Sequence, residues 1–229
     1  MQQLLFVVGT FVFFGVLGTL VGIWERRIVW PYSEPLSLDL MQDEYRTAAN
    51  QGFVDATLQG MQQDGFSLLC RFQDARRAKY KLSYIFFISP DRATLAMLGY
   101  GNMVGIQIKG ITLISKNSDG HYYYTTNSSG AERYDVSGSS DTQVATSVRD
   151  FSTLYAKHQK WLLRKTTPSA FPSDGALQEY RKFLTNRCDL RQSHGLIRYS
   201  DSEKNEWRYT LLGSLKFSFI GTFRGIFGL

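Results

Sequence analysis

The sequence predicts an α+β protein: an N-terminal transmembrane helix, then one soluble domain with an antiparallel meander sheet and helices packed on one face. Three observations predict it. Residues Leu4 to Ile23 run without a single charge. Residues 66–126 alternate apolar and polar side chains between short turn sequences, the period-two pattern of strands. From Asp150 to Cys188 the apolar spacing becomes that of amphipathic helices.

A helix of about 20 apolar residues spans the roughly 30 Å hydrocarbon core of a bilayer. A cleaved secretory signal would want a basic start and an apolar core of about 7–15 residues. Here the start is the neutral Met1-Gln2-Gln3 and the run is longer, so residues 1–30 read as a retained anchor. Trp24, Arg26, Arg27 and Trp30 follow the run, basic and aromatic residues suited to a cytoplasmic headgroup layer. The N-terminus is therefore expected outside and the main domain in the cytoplasm. Gly15, Gly18 and Gly22 recur at helical spacing and would let a second helix approach closely, which points to a membrane-protein partner.

Residues 31–38, with Pro31 and Pro35, form a linker, and residues 39–206 the domain. Ser37 can cap a first helix, with Gln51-Gly52 as its break and a second short helix carrying Phe53 to Met61. Phe66 to Phe72 reads as a strand, and in Tyr80 to Ile88 the even positions from Tyr80 are all apolar. Ser89-Pro90-Asp91-Arg92 is a tight turn by composition. It resembles the Ser-Pro-Asp turn of propeller blades, but one copy in a chain without repeats implies only a hairpin. Ala93 to Leu98 runs back, Gly99 to Asn102 reads as another turn, and Val104 to Ser115 as the next strand. Asn117-Ser118-Asp119-Gly120 closes a hairpin onto the Tyr-rich strand His121 to Thr126. Residues 127–146 are polar and read as a loop with at most a weak edge strand. Asp150 caps a helix to Lys165, and Ser173 caps another with Leu177, Tyr180, Leu184 and Cys188 as its stripe. Residues 196–199 allow one more strand.

Residues 207–229 read as an amphipathic, membrane-proximal segment, with a strand as the alternative. Lys216 and Arg224 make a full second span costly, whereas Phe219, Phe223 and Phe227 suit the lipid interface.

The chain carries a formal charge of +6, unevenly placed. Between Trp30 and Gly65 six acids face Arg46 alone, whereas from Phe66 to Gly120 eight bases face three acids. Mutual packing explains this better than nucleic acid, and no nucleic-acid partner is expected. The two cysteines, Cys70 and Cys188, make no disulfide framework and read as buried apolar residues. The three histidines form no H-x-x-x-H pair and no Gly-x-Ser-x-Gly elbow exists, so no metal, cofactor or nucleophilic site is expected. His158 reads as a hydrogen-bonded core residue. The expected role is a membrane-anchored, non-catalytic accessory or scaffolding subunit that contacts membrane lipids and a membrane protein. The alternatives are a tethered lipid or small apolar ligand-binding domain and an enzyme with a site around His121 and His158.

Overall fold

Turn chemistry lays out the central sheet. The computed structural model describes residues 27–29, 46–77, 80–103, 106–128, 140–201 and 206–215. The chain divides into two compact units, Pro31–Tyr180, and Met1–Trp30 with Arg181–Leu229.

The larger unit opens with helix α1 (Ala48–Gln63). The Thr47 backbone N–H donates to the Asn50 carboxamide oxygen, satisfying one of the donors a helix start leaves open. The helix runs through Gly52, correcting the expected break. An exposed glycine costs about 1 kcal/mol against alanine, and Val54, Thr57 and Met61 lie buried at helical spacing to offset it. Residues 37–45, expected to begin this region, lie outside the described residues.

Strands β2 (Ser67–Arg77), β3 (Tyr80–Ile88), β4 (Leu95–Met103), β5 (Ile106–Lys116), β6 (Tyr122–Thr126) and β7 (Ser140–Val144) form a six-stranded sheet in sequence order. The first five make the expected antiparallel meander. The sixth pairs parallel to β6, so the sheet is mixed. Its sequence, Ser-Asp-Thr-Gln-Val, has one apolar residue and shows no alternation to read.

The turns hold by named bonds. At residues 89–92 the Ser89 hydroxyl donates to Asp91 (2.5 Å), and the Thr94 N–H donates back to Ser89 Oγ (2.9 Å). Arg92 takes a left-handed backbone, φ 61, a conformation costing about 1–2 kcal/mol outside glycine. Its guanidinium donates to the carbonyls of Phe171 and Pro172, and Phe171 N–H donates to Arg92 O (2.9 Å). At the second hairpin Asn117 Oδ1 accepts from the N–H groups of Asp119 and His121, with Gly120 at φ +78.

Gly99 and Gly101, expected in a turn, lie inside β4. Gly99 stands opposite Tyr84, where an added Cβ would touch the ring at 3.4 Å. Gly99 makes room for Tyr84 across the sheet rather than ending a strand.

Helix α2 (Phe151–Lys165) is capped by Asp150, whose carboxylate accepts from Thr153 N–H at 2.7 Å. That bond holds the Asp150 carboxyl below its ordinary range. One face of the sheet, with Ile85, Phe87, Ala96, Leu98, Ile111 and Leu113, packs against Val54 and Met61 of α1 and Phe151 and Leu154 of α2. A bulge between Leu68 and Cys70 switches faces, so Cys70 pairs with Phe86. The opposite face carries aromatic rings, Phe72 against Phe86 at 5.8 Å among them. Tyr180, from helix α3 (Ala176–Ser193), meets Phe86 and Tyr122 at ring separations of 6.1 and 6.3 Å.

The second unit holds a three-stranded antiparallel sheet, β1 (Arg27–Val29), β9 (Glu206–Tyr209) and β8 (Ile197–Asp201), in that spatial order. Gly195, at φ +67, ends α3 and turns the chain into β8. Ile197 packs with Cys188 and Tyr209. Both cysteines are buried, and neither is in a disulfide. Of the readings for residues 207–229, residues 207–209 are strand and residues 211–215 a short helix, and the rest lie outside the described residues. Among the described residues no helix is long and apolar enough to cross a membrane, and the expected span at residues 4–23 lies outside them.

Candidate functional site

The sheet's helix-covered face carries one chain of buried polar groups, centred on His158. Strand alternation puts Ser115 in the same row as Tyr123, two residues from Thr125 on the same face, and α2 lays His158 between the two hydroxyls. His158 Nε2 lies 3.0 Å from Ser115 Oγ and Nδ1 lies 2.8 Å from Thr125 Oγ1. Ser115 Oγ in turn lies 3.0 Å from Thr94 Oγ1, on the neighbouring strand side.

The two ends of this chain set its direction. Gln159 Nε2 can only donate, and does so to Thr94 Oγ1 (3.5 Å). Gln143 Oε1 can only accept, and takes the Thr125 hydroxyl proton (3.4 Å). Proton positions then run one way: Gln159 to Thr94, Thr94 to Ser115, Ser115 to Nε2, then Nδ1–H to Thr125 and Thr125 to Gln143. With the amides in these orientations the ring is the neutral Nδ1–H tautomer, and both ring nitrogens are paired. Burial agrees, lowering the His158 pKa to about 3.

A serine donating to Nε2 while Nδ1–H is held by a third group is the contact order of nucleophilic catalysis. Two features stop it from serving as such here. The third group is a hydroxyl, so no carboxylate would stabilise an imidazolium. Ser115 and His158 are each 0% exposed, so no substrate reaches either atom. The arrangement ties α2 to strands β5 and β6 and satisfies their buried polar groups.

His121 lies on the same side but does not meet His158. Its Nε2 is 3.7 Å from Asp141, which Lys165 also approaches at 3.5 Å. Rings fill the interval: His121 packs on Tyr123 (5.0 Å), Tyr123 on Trp161 (5.8 Å) and Trp161 on His158 (6.4 Å). Among the described residues no group of three or more His, Cys, Asp or Glu could hold a metal ion. Asn127 accepts from Ile111 N–H through Oδ1 (2.7 Å) and donates through Nδ2 to Val148 O (3.0 Å).

Gly15, Gly18, Gly22, Trp24, Arg26 and Trp30 lie outside the described residues, as do Lys216, Phe219, Phe223, Arg224 and Phe227. Arg27 is described, as the first residue of β1 opposite Arg208 of β9. That pairing joins the stretch just after the apolar run to the start of the C-terminal segment. Sequence reading missed it, because β1 is three residues long and its partner lies at the other end of the chain. No protein family, curated protein or solved structure matches this chain, so its function is argued from these residues alone.

Proposed function

We propose that the protein is a membrane-anchored, non-catalytic accessory or scaffolding subunit, held by residues 4–23 with its sheets on the cytoplasmic side. The observation that carries this reading is the β1–β9 pairing. The strands are antiparallel, so the end of the sheet that receives the chain from residue 26 is also the end from which it continues to residue 210. The parts of the two membrane-assigned segments before residue 27 and after residue 209 therefore leave the sheet at the same end. The Gly15, Gly18 and Gly22 positions supply the surface for a partner helix.

The full chain is expected to stay in the membrane pellet through alkaline carbonate and to leave it only with detergent. Purified in mild detergent it should carry a partner at fixed ratio, and Gly18→Leu with Gly22→Leu should release that partner without releasing the chain. Extraction by carbonate alone would overturn the anchor, and a partner indifferent to the double variant would overturn the helix face.

A further inference from the structure

We infer that the end of the three-stranded sheet from which both chain ends continue is a docking surface for anionic phospholipid headgroups. This rests on the membrane-anchored reading and extends it to a ligand class and to residues that reading does not use.

The first observation is a row of like charges. The register sets Arg27 opposite Arg208, and Arg208 opposite Arg198. Three arginines occupy one row across three strands. Like charges directly opposite one another destabilise a sheet unless a counter-charge offsets them. Arg198 is exposed. The acids of the same strands fall at the other end, where Glu206 stands opposite Val29 and Asp201 opposite Glu206. The sheet is thus polar along its strands, basic where the chain enters from residue 26 and leaves for residue 210, and acidic at the far end. Arg27 follows Ile23 by four residues, a reach of at most about 14 Å of extended chain. That confines the row to the neighbourhood of the headgroup layer next to the span.

The second observation is apolar. Leu211 and Leu212 are 59% and 58% exposed, and they sit on a fixed platform at the same end. Thr210 N–H donates to Leu196 O (3.0 Å), the Thr210 hydroxyl donates to Gly195 O (2.6 Å), and Gly213 N–H donates to Thr210 Oγ1 (3.0 Å). Gly213 packs so closely that an added Cβ would lie 1.9 Å from Leu196 O, so the short helix cannot swing its leucines away without breaking this contact. Exposed leucines beside a basic row match an anionic bilayer surface, where apolar insertion and attraction to headgroups act together. A nucleic-acid backbone or free phosphate would use the arginines and leave the leucines in water.

The test uses the full chain in vesicles of phosphatidylcholine alone or with about one-third phosphatidylserine, reading amide exchange of the peptide covering residues 195–215. Exchange should be slower by at least roughly fivefold with phosphatidylserine. The difference should vanish in high salt and in Arg198→Glu with Arg208→Glu. Arg198→Gln, a milder change at an exposed position, should remove part of it and guards against a double variant that fails to fold. Equal exchange in the two vesicles, or a difference that survives high salt, overturns the docking surface. Protection by an oligonucleotide in detergent that equals or exceeds protection by phosphatidylserine also overturns it. Carbonate resistance of the same vesicles reads the anchor separately, so a chain stripped by carbonate but protected by phosphatidylserine sinks the anchor and keeps the docking surface.

Discussion

The two sheets are assembled by opposite rules of sequence distance. In the six-stranded sheet, strands β2 to β6 each pair with the next along the chain. In the three-stranded sheet, residues 27–29 pair with residues 206–209. Joining segments that far apart costs more loop-closure entropy; among the described residues, Cys188 and Ile197 with Tyr209 form a small apolar cluster beside it. The larger sheet has a continuous core on one face and rings on the other. One sheet supports itself, and the other brings two ends of the chain together. The membrane contacts proposed above all lie at the three-stranded sheet, whose pairing joins segments distant in sequence.

Breaking the stronger sheet should have the largest effect. Leu98→Ala removes a side chain with 0% exposure from its centre and should cost about 2–5 kcal/mol in urea denaturation. Ile197→Ala should fall at the lower end of that range, about 2 kcal/mol. It should speed amide exchange in residues 197–209 while leaving residues 82–114 protected. Equal losses from the two variants would end the contrast between the sheets.

The next effect is set by pH and belongs to the larger sheet alone. Burial holds His158 neutral down to about pH 3, whereas an unfolded histidine titrates near 6.5. The unfolded chain therefore binds the extra proton first as pH falls. This contribution to stability is complete above about pH 6.5 and is lost progressively toward pH 3. At pH 5 the loss is about 2 kcal/mol, from one and a half pH units at about 1.36 kcal/mol each. The groups facing the ring, Ser115, Thr125 and Trp161, carry no charge to offset it. Denaturation curves between pH 7 and pH 5 should show this fall, and His158→Gln should flatten it though starting from a less stable protein. A fall that persists in His158→Gln would assign the dependence elsewhere.

Legibility in the sequence follows the same division. Both hairpin turns, the Asp150 cap and the meander were readable, because each depends on residues a few positions apart. His158 was readable as a core residue from its apolar helical neighbours. Its partners were not: Thr94, Ser115 and Thr125 come together only through the register of three strands. Gly99 misled because a glycine that clears space for Tyr84 looks, in sequence, like a glycine that turns the chain. Gly52 misled because burial of Val54, Thr57 and Met61 outweighs the local penalty. Strands β1, β7 and β9 carry three to five residues each with no clean alternation, so pairing alone defines them. The arginine row was hidden for that reason, with its members at residues 27, 198 and 208.

The smallest expected effect separates two kinds of exposed leucine. Leu163, on α2 of the larger unit, is 81% exposed, and single exposed apolar residues are normal on protein surfaces. Leu211 and Leu212 are less exposed, yet they stand beside the chain's exit and the basic row. In solution Leu163→Ser should change stability by no more than about 0.5 kcal/mol. Leu211→Ser with Leu212→Ser should cost little more, since most of each side chain already meets water. The variants should part only in vesicles containing phosphatidylserine, where the 211/212 pair loses protection of residues 195–215 and Leu163→Ser does not. If Leu163→Ser reduces that protection equally, the contact with lipid is spread over the surface and the small sheet has no privileged end. If only the 211/212 pair does so, exposure has been separated from function: the more exposed leucine is inert, and position beside the chain ends decides which leucines meet the membrane.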